Sequence, residues 1–197
     1  ITAWACATLS VDDPVLFQRI SEQARAKACD FQPQGLCNLA WAFATTRHDD
    51  PALGGEISRA ALARLGDFEP QGLSNLAWAL ATSGTGSPEL LGCIADEAIA
   101  KAAHFGAQEL SNLAWAFAAL AADSPDLFKA IARQASKKSD EFNPQEISIL
   151  VWAMAKLSVG GDGFFRSVAW NAAAGLEGFS VQDLSNLVWA FATRGVS

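Results

Sequence analysis

The chain has 197 residues, 51% of them apolar and 18% charged, which suffices for a continuous core and excludes a disordered polyelectrolyte. Against 14 Lys and Arg stand 21 Asp and Glu, and the net charge of −7 argues against the basic stripe of a DNA- or RNA-binding surface. No apolar run reaches the roughly 18–20 residues needed to span a bilayer, and the four cysteines lack metal-ligand spacing and read as reduced thiols.

One interval organises the rest. Trp4, Trp41, Trp78, Trp115, Trp152 and Trp189 recur every 37 residues, as do the series from Phe31 to Phe179 and from Gln34 to Gln182. A fixed period of this size is the signature of a repeat array, and it predicts an all-α solenoid of stacked two-helix repeats across 1–197. A partial repeat (1–30) comes first, with its first helix in 1–10 and its second in 11–30. Full repeats follow at 31–67, 68–104, 105–141 and 142–178, then a partial repeat at 179–197. Ile1 aligns with Asn38, so the chain is expected to begin within a repeat and to lack any transit segment.

The first helix of each repeat opens near Pro33, Pro70 or Pro144, where a missing N–H costs nothing. Asn143 with Glu146, and Ser180 with Asp183, have the spacing of a capping box, the Ser180 pair coming nearer the usual pattern. Leu36, Leu39, Ala40 and Phe43 form a helical stripe, with Gln34, Asn38, Trp41 and Thr45 opposite, so both faces are expected to be enclosed. Each Trp is expected to fill the seam between neighbouring first helices, rather than offer a stacking platform for bases. The recurring Asn and Gln are expected to satisfy polar groups between copies, with Ile149 breaking the Asn series in the fourth full repeat.

The second helix opens after Asp13, Asp50, Ser87 or Ser124, each followed by Pro. Its inward stripe reads Leu16/Leu53/Leu90/Leu127/Phe164, then Ile20/Ile57/Ile94/Ile131/Val168, then Ala24 and its equivalents. The fifth copy substitutes Gly160-Gly161-Asp162-Gly163, a looser entry. Leu184, Leu187, Val188 and Phe191 look like any interior copy, so the array is expected to be truncated or uncapped at both ends.

The motif Phe-x-Pro-Gln-x-Leu-x-Asn-Leu-Ala-Trp-Ala, seen at 31–42 and 68–79, resembles the octotricopeptide repeats and their 37-residue relatives, the heptatricopeptide repeats. The resemblance covers essentially the whole chain. It implies an α-solenoid of a nucleus-encoded organellar protein, in a plastid ahead of a mitochondrion, and RNA binding as a family role.

Chemistry-bearing residues are sparse. His48-Asp49-Asp50 and His104 have no nucleophile or ligand partner at a useful spacing, so no catalytic, cofactor or metal site is expected. Trp170 falls in register with Glu22, Arg59, Asp96 and Arg133, the solvent positions of the second helix, and reads as an interface anchor. With Phe165, Leu184, Leu187 and Phe191 it makes the expected protein interface. Lys129, Arg133, Lys137 and Lys138 form the densest basic spot and the candidate RNA contact. The series Lys27, Arg64, Lys101 and Lys138 lies in the last turn of the second helix, where a cation favours the dipole. The expected function is a non-catalytic scaffold for protein subunits of a larger organellar assembly; the alternative is an RNA-binding adaptor.

Overall fold

A computed structural model describes residues 2–9, 13–173 and 175–195. The expected repeat limits at residues 1, 10, 11 and 197 lie outside them. The described residues form eleven α-helices and no strand. They are α1 (Thr2–Thr8), α2 (Pro14–Ala26), α3 (Pro33–Thr46), α4 (Pro51–Leu62), α5 (Pro70–Ser83) and α6 (Pro88–Ala100). The remainder are α7 (Ala107–Ala119), α8 (Pro125–Lys137), α9 (Pro144–Lys156), α10 (Asp162–Ala173) and α11 (Val181–Arg194). None is long and apolar enough to cross a membrane. The chain divides into two compact units, 1–97 and 98–197.

Local chemistry explains where the helices start. Asp13 accepts the N–H groups of Val15 and Leu16, both at 3.0 Å, and Asp50 accepts that of Leu53 at 2.9 Å. Both open a helix whose first residue is Pro, which has no N–H to satisfy. Asn143 and Glu146 form a complete reciprocal box on α9, as do Ser180 and Asp183 on α11. The Asn143 pair is therefore as complete as the Ser180 pair, because an amide oxygen serves as well as a hydroxyl. At α7, Glu109 supplies the half of the box that Gly106 permits, accepting its N–H at 3.0 Å.

The stops are equally regular. The residue after α3, α5 or α11 takes a left-handed conformation: Arg47 (φ 55), Gly84 (φ 66) and Gly195 (φ 63). Ala121 (φ 51) and Ser158 (φ 55) do the same just past α7 and α9. The next N–H reaches back across the final turn, His48 to Phe43 at 3.1 Å and Ala122 to Phe117 at 2.9 Å. This terminator satisfies carbonyls that the helix leaves unpaired. Alanine pays a steric penalty there that glycine does not. Exposed Ala121→Gly should therefore stabilise by about 0.5–1 kcal/mol, a rise of roughly 1–4 °C in a thermal melt.

In the first unit, α3 packs between α1 and α5, while α2 lies on α4. In the second, α9 packs between α7 and α11, with α8 against α7 and α10 against α9. The shared cores contain Leu36, Phe43, Leu53 and Ile57 in the first unit and Leu113, Phe117, Leu127 and Ile131 in the second. The inward stripe slides by one residue at two helices. Phe17 in α2 and Phe165 in α10 are buried, whereas Leu16 and Phe164 are half-buried. A ring at this position reaches the core from a neighbouring helical position, as buried Phe128 also does in α8.

Hydrogen bonds tie successive helices together through a small buried residue. Cys37 Sγ donates to the Gly72 carbonyl at 3.2 Å. In the second unit, Ser111 Oγ donates to the Glu146 carbonyl at 3.0 Å and Ser148 Oγ to the Asp183 carboxylate at 2.8 Å. The expected carriers of this network were the Asn residues. Among the described residues, the amides of Asn38, Asn75 and Asn112 make no hydrogen bond, and Asn186 meets only Gln182, at 3.0 Å. The small residues face the neighbouring helix and the amides do not.

Candidate interaction surfaces

Trp170 lies on α10 with 82% of its surface exposed, the indole standing on the solvent side that its register indicates. The other expected interface residues separate. On α11, Leu184 is exposed, Phe191 is half-buried and Leu187 is buried. Val181, Val188 and Trp189 join Leu184 on the outer side of that helix. Phe165 is fully buried, so it supports the surface without forming it. Its ring meets Phe164 at 5.5 Å and Phe191 at 6.4 Å, edge to face. The Arg194 guanidinium lies 5.3 Å from its centroid and donates to the Gly160 carbonyl at 3.1 Å. The signal missed in the sequence is the register of Phe165 with Phe17 and Phe128.

The basic spot on α8 is smaller than its composition suggests. Lys129 pairs with Asp126 at 2.9 Å. Lys138 Nζ donates to the Phe105 carbonyl at 2.7 Å and to the Ala103 carbonyl at 3.3 Å, which fastens the end of α8 to the turn preceding α7. Arg64 plays the same part in the first unit, donating to the Phe31 carbonyl at 3.1 Å and to Gln32 at 3.0 Å. Arg133 and Lys137 remain as exposed cations on α8. At Arg64 and Lys138 the recurring cation therefore holds one turn against another, in addition to complementing its helix dipole.

The Trp-bearing face is open to a degree the sequence does not anticipate. Trp41, Trp78, Trp115 and Trp152 are half-buried, and Trp4 and Trp189 are 46% and 44% exposed. Trp152 and Trp189 approach at 6.3 Å with their planes tilted. Gln34, Gln71, Gln108, Gln145 and Gln182 are exposed along the same side, and Asn38, Asn75 and Asn112 are half-exposed. The enclosed side of these helices is the leucine side.

Two carboxylates are tuned by their surroundings. Burial alone would raise Asp50, but hydrogen bonds from Ser21 and the Leu53 N–H, with the Arg25 charge, hold it below the ordinary carboxylate range. Asp183 is likewise held low, as the hydroxyls of Ser180 and Ser148 and the Ser180 N–H outweigh its burial. Burial pushes the Cys37 thiol up to about 12, which keeps it protonated and unreactive. His48 stacks on Phe17 at 4.1 Å, a packing role. Among the described residues no cluster of His, Cys, Asp and Glu could hold a metal ion. Neither a family model nor a curated protein matches the chain.

Proposed function

We propose that the chain is a non-catalytic α-solenoid of 37-residue helix pairs that scaffolds protein–protein contacts within a larger organellar assembly. The solenoid reading is supported by the recurrence of the left-handed terminators at residues 47, 84, 121, 158 and 195. The organellar setting, plastid ahead of mitochondrion, is supported by the octotricopeptide-like motif alone. One observation carries the scaffold: an indole that is 82% exposed on α10, one turn after exposed Arg166 and Ser167. A side chain of this size is costly to leave in water and is enriched where partners anchor.

Trp170→Ala should leave helicity and melting temperature unchanged within about 0.5 kcal/mol, since the residue makes little core contact. Isolated from the organelle, the variant should lose protein subunits that co-purify stoichiometrically with the wild-type chain. Unchanged co-purification would remove Trp170 from the interface. The alternative, an organellar RNA-binding adaptor, draws on exposed Arg133 and Lys137. It requires single-stranded RNA binding that weakens steeply with salt.

A further inference from the structure

We propose that the tryptophan–amide face of the first unit binds an extended, basic peptide segment; this rests on the scaffold reading and names the partner's chemistry. The starting point is a groove of about 710 Å³ whose lining includes Trp4, Gln34, Asn38, Glu69, Gln71 and Asn75. Asn38 and Asn75 are half-exposed, Gln34 and Gln71 are exposed, and none of the four amides makes a hydrogen bond among the described residues. Each carries donors and an acceptor on one plane, the complement of a peptide group. The two helices that line the groove present the same pair of amides, Gln34 with Asn38 and Gln71 with Asn75, and identical groups can recognise only what repeats along a polymer, namely its backbone.

The spacing fits such a ligand. Helices α3 and α5 pack directly on one another. Packed helices lie roughly 8–10 Å apart, and an extended polyproline-II chain rises about 3.1 Å per residue with three residues per turn, so about one turn of peptide passes per helix. Asn38 and Asn75 would then meet peptide groups three residues apart, and every third side chain would face the protein.

Charge selects the side chain. No Lys or Arg lines the groove, whereas Asp67 and Glu69 do. Asp67 is paired with Arg64 at 3.2 Å, leaving exposed Glu69 as the anionic group offered to a ligand. The second unit shows what the tryptophan face accepts: Lys156 Nζ sits 4.9 Å from the Trp152 centroid. Trp4, which is exposed, lines the groove, and the corresponding residue after it is Thr8, which brings no cation of its own. A ligand lysine or arginine can take that place, with its stem on the ring and its charge over the face. A polyanion would meet Glu69, while Arg64, which bonds two lining residues, is already engaged by Asp67 and Gln32.

The test is a titration of the intact chain with a labelled peptide of repeating Lys-Ser-Gly, about 15 residues long, enough to pass several helices at ~3.1 Å per residue. Saturable binding at low salt is expected, with none to the Glu-Ser-Gly counterpart. The pair Asn38→Ala and Asn75→Ala should weaken it roughly tenfold through lost backbone hydrogen bonds, and Glu69→Gln roughly threefold. An unchanged melting curve checks that the variants fold. Trp170→Ala should bind the peptide as wild type does. Absence of peptide binding, or binding indifferent to the Asn pair, overturns the proposal. So does oligouridine binding that the Asn pair abolishes, which would assign the face to nucleic acid. If assembly through Trp170 persists in any of these cases, the groove assignment fails and the scaffold stands.

Discussion

Phe165→Ala is expected to destabilise the second unit by about 3–5 kcal/mol, the usual cost of deleting a fully buried ring. The side chain has no exposed surface and packs edge-on against Phe164 and Phe191. Arg194 lies over its face and loses that support in the variant. The cavity would open beside Gly160, which has a φ of 80 and at which a Cβ would meet the same ring at 3.3 Å. Urea denaturation should show a lower midpoint with an unchanged slope, and Phe165→Leu should recover most of the loss. A wild-type midpoint for the alanine variant would mean that Phe165 lies at the surface, as an interface anchor would.

Asp50→Ala is expected to cost about 2–4 kcal/mol, the sum of a lost helix cap and a buried hydroxyl left without its partner. Asp50 caps α4 through the Leu53 N–H at 2.9 Å, and it accepts the hydroxyl of Ser21, which is buried in α2. One carboxylate therefore both starts a helix and ties it to its neighbour. Its acid dissociation is held below the ordinary carboxylate range in the folded chain. A depressed folded-state value means that the stabilisation is present above the unfolded value, about 4, and is lost as pH falls through the folded value. Asp183 contributes with the same sign. Thermal melts should therefore be flat near neutrality and fall below about pH 4. Asp50→Asn should keep most of the cap at neutral pH and show a shallower acid decline than wild type. An identical acid profile for wild type and Asp50→Asn would exclude this linkage.

The helix starts were legible because their chemistry is local. Asp13 and Asp50 cap the turns that immediately follow them, and Pro at the next position fixes the backbone without removing a needed donor. The core stripe of α4 and α8 was legible for a related reason: residues three and four apart share a helical face. The exposure of Trp170 followed from the same register. Phe165 was misplaced because Phe164 and Phe165 are adjacent rings and the register alone does not say which of them is the more deeply enclosed. The choice depends on how α10 is rotated against α9, which no local rule supplies. The basic spot was overcounted because the acceptor of Lys138, the Phe105 carbonyl, lies 33 residues earlier in the chain.

The amino-acid sequence by itself determined the 37-residue period, read directly from its recurring residues, and also the all-helical composition and the turns at which helices begin, which follow from contacts within a few residues. Tertiary structure decided which side of each first helix is closed. It also decided that Cys37, Ser111 and Ser148, instead of the Asn residues, bridge neighbouring helices. Both depend on the rotation of one helix about its axis relative to the next. That rotation is set by the fit of two surfaces, and a pattern read along one helix carries no information about the surface it meets.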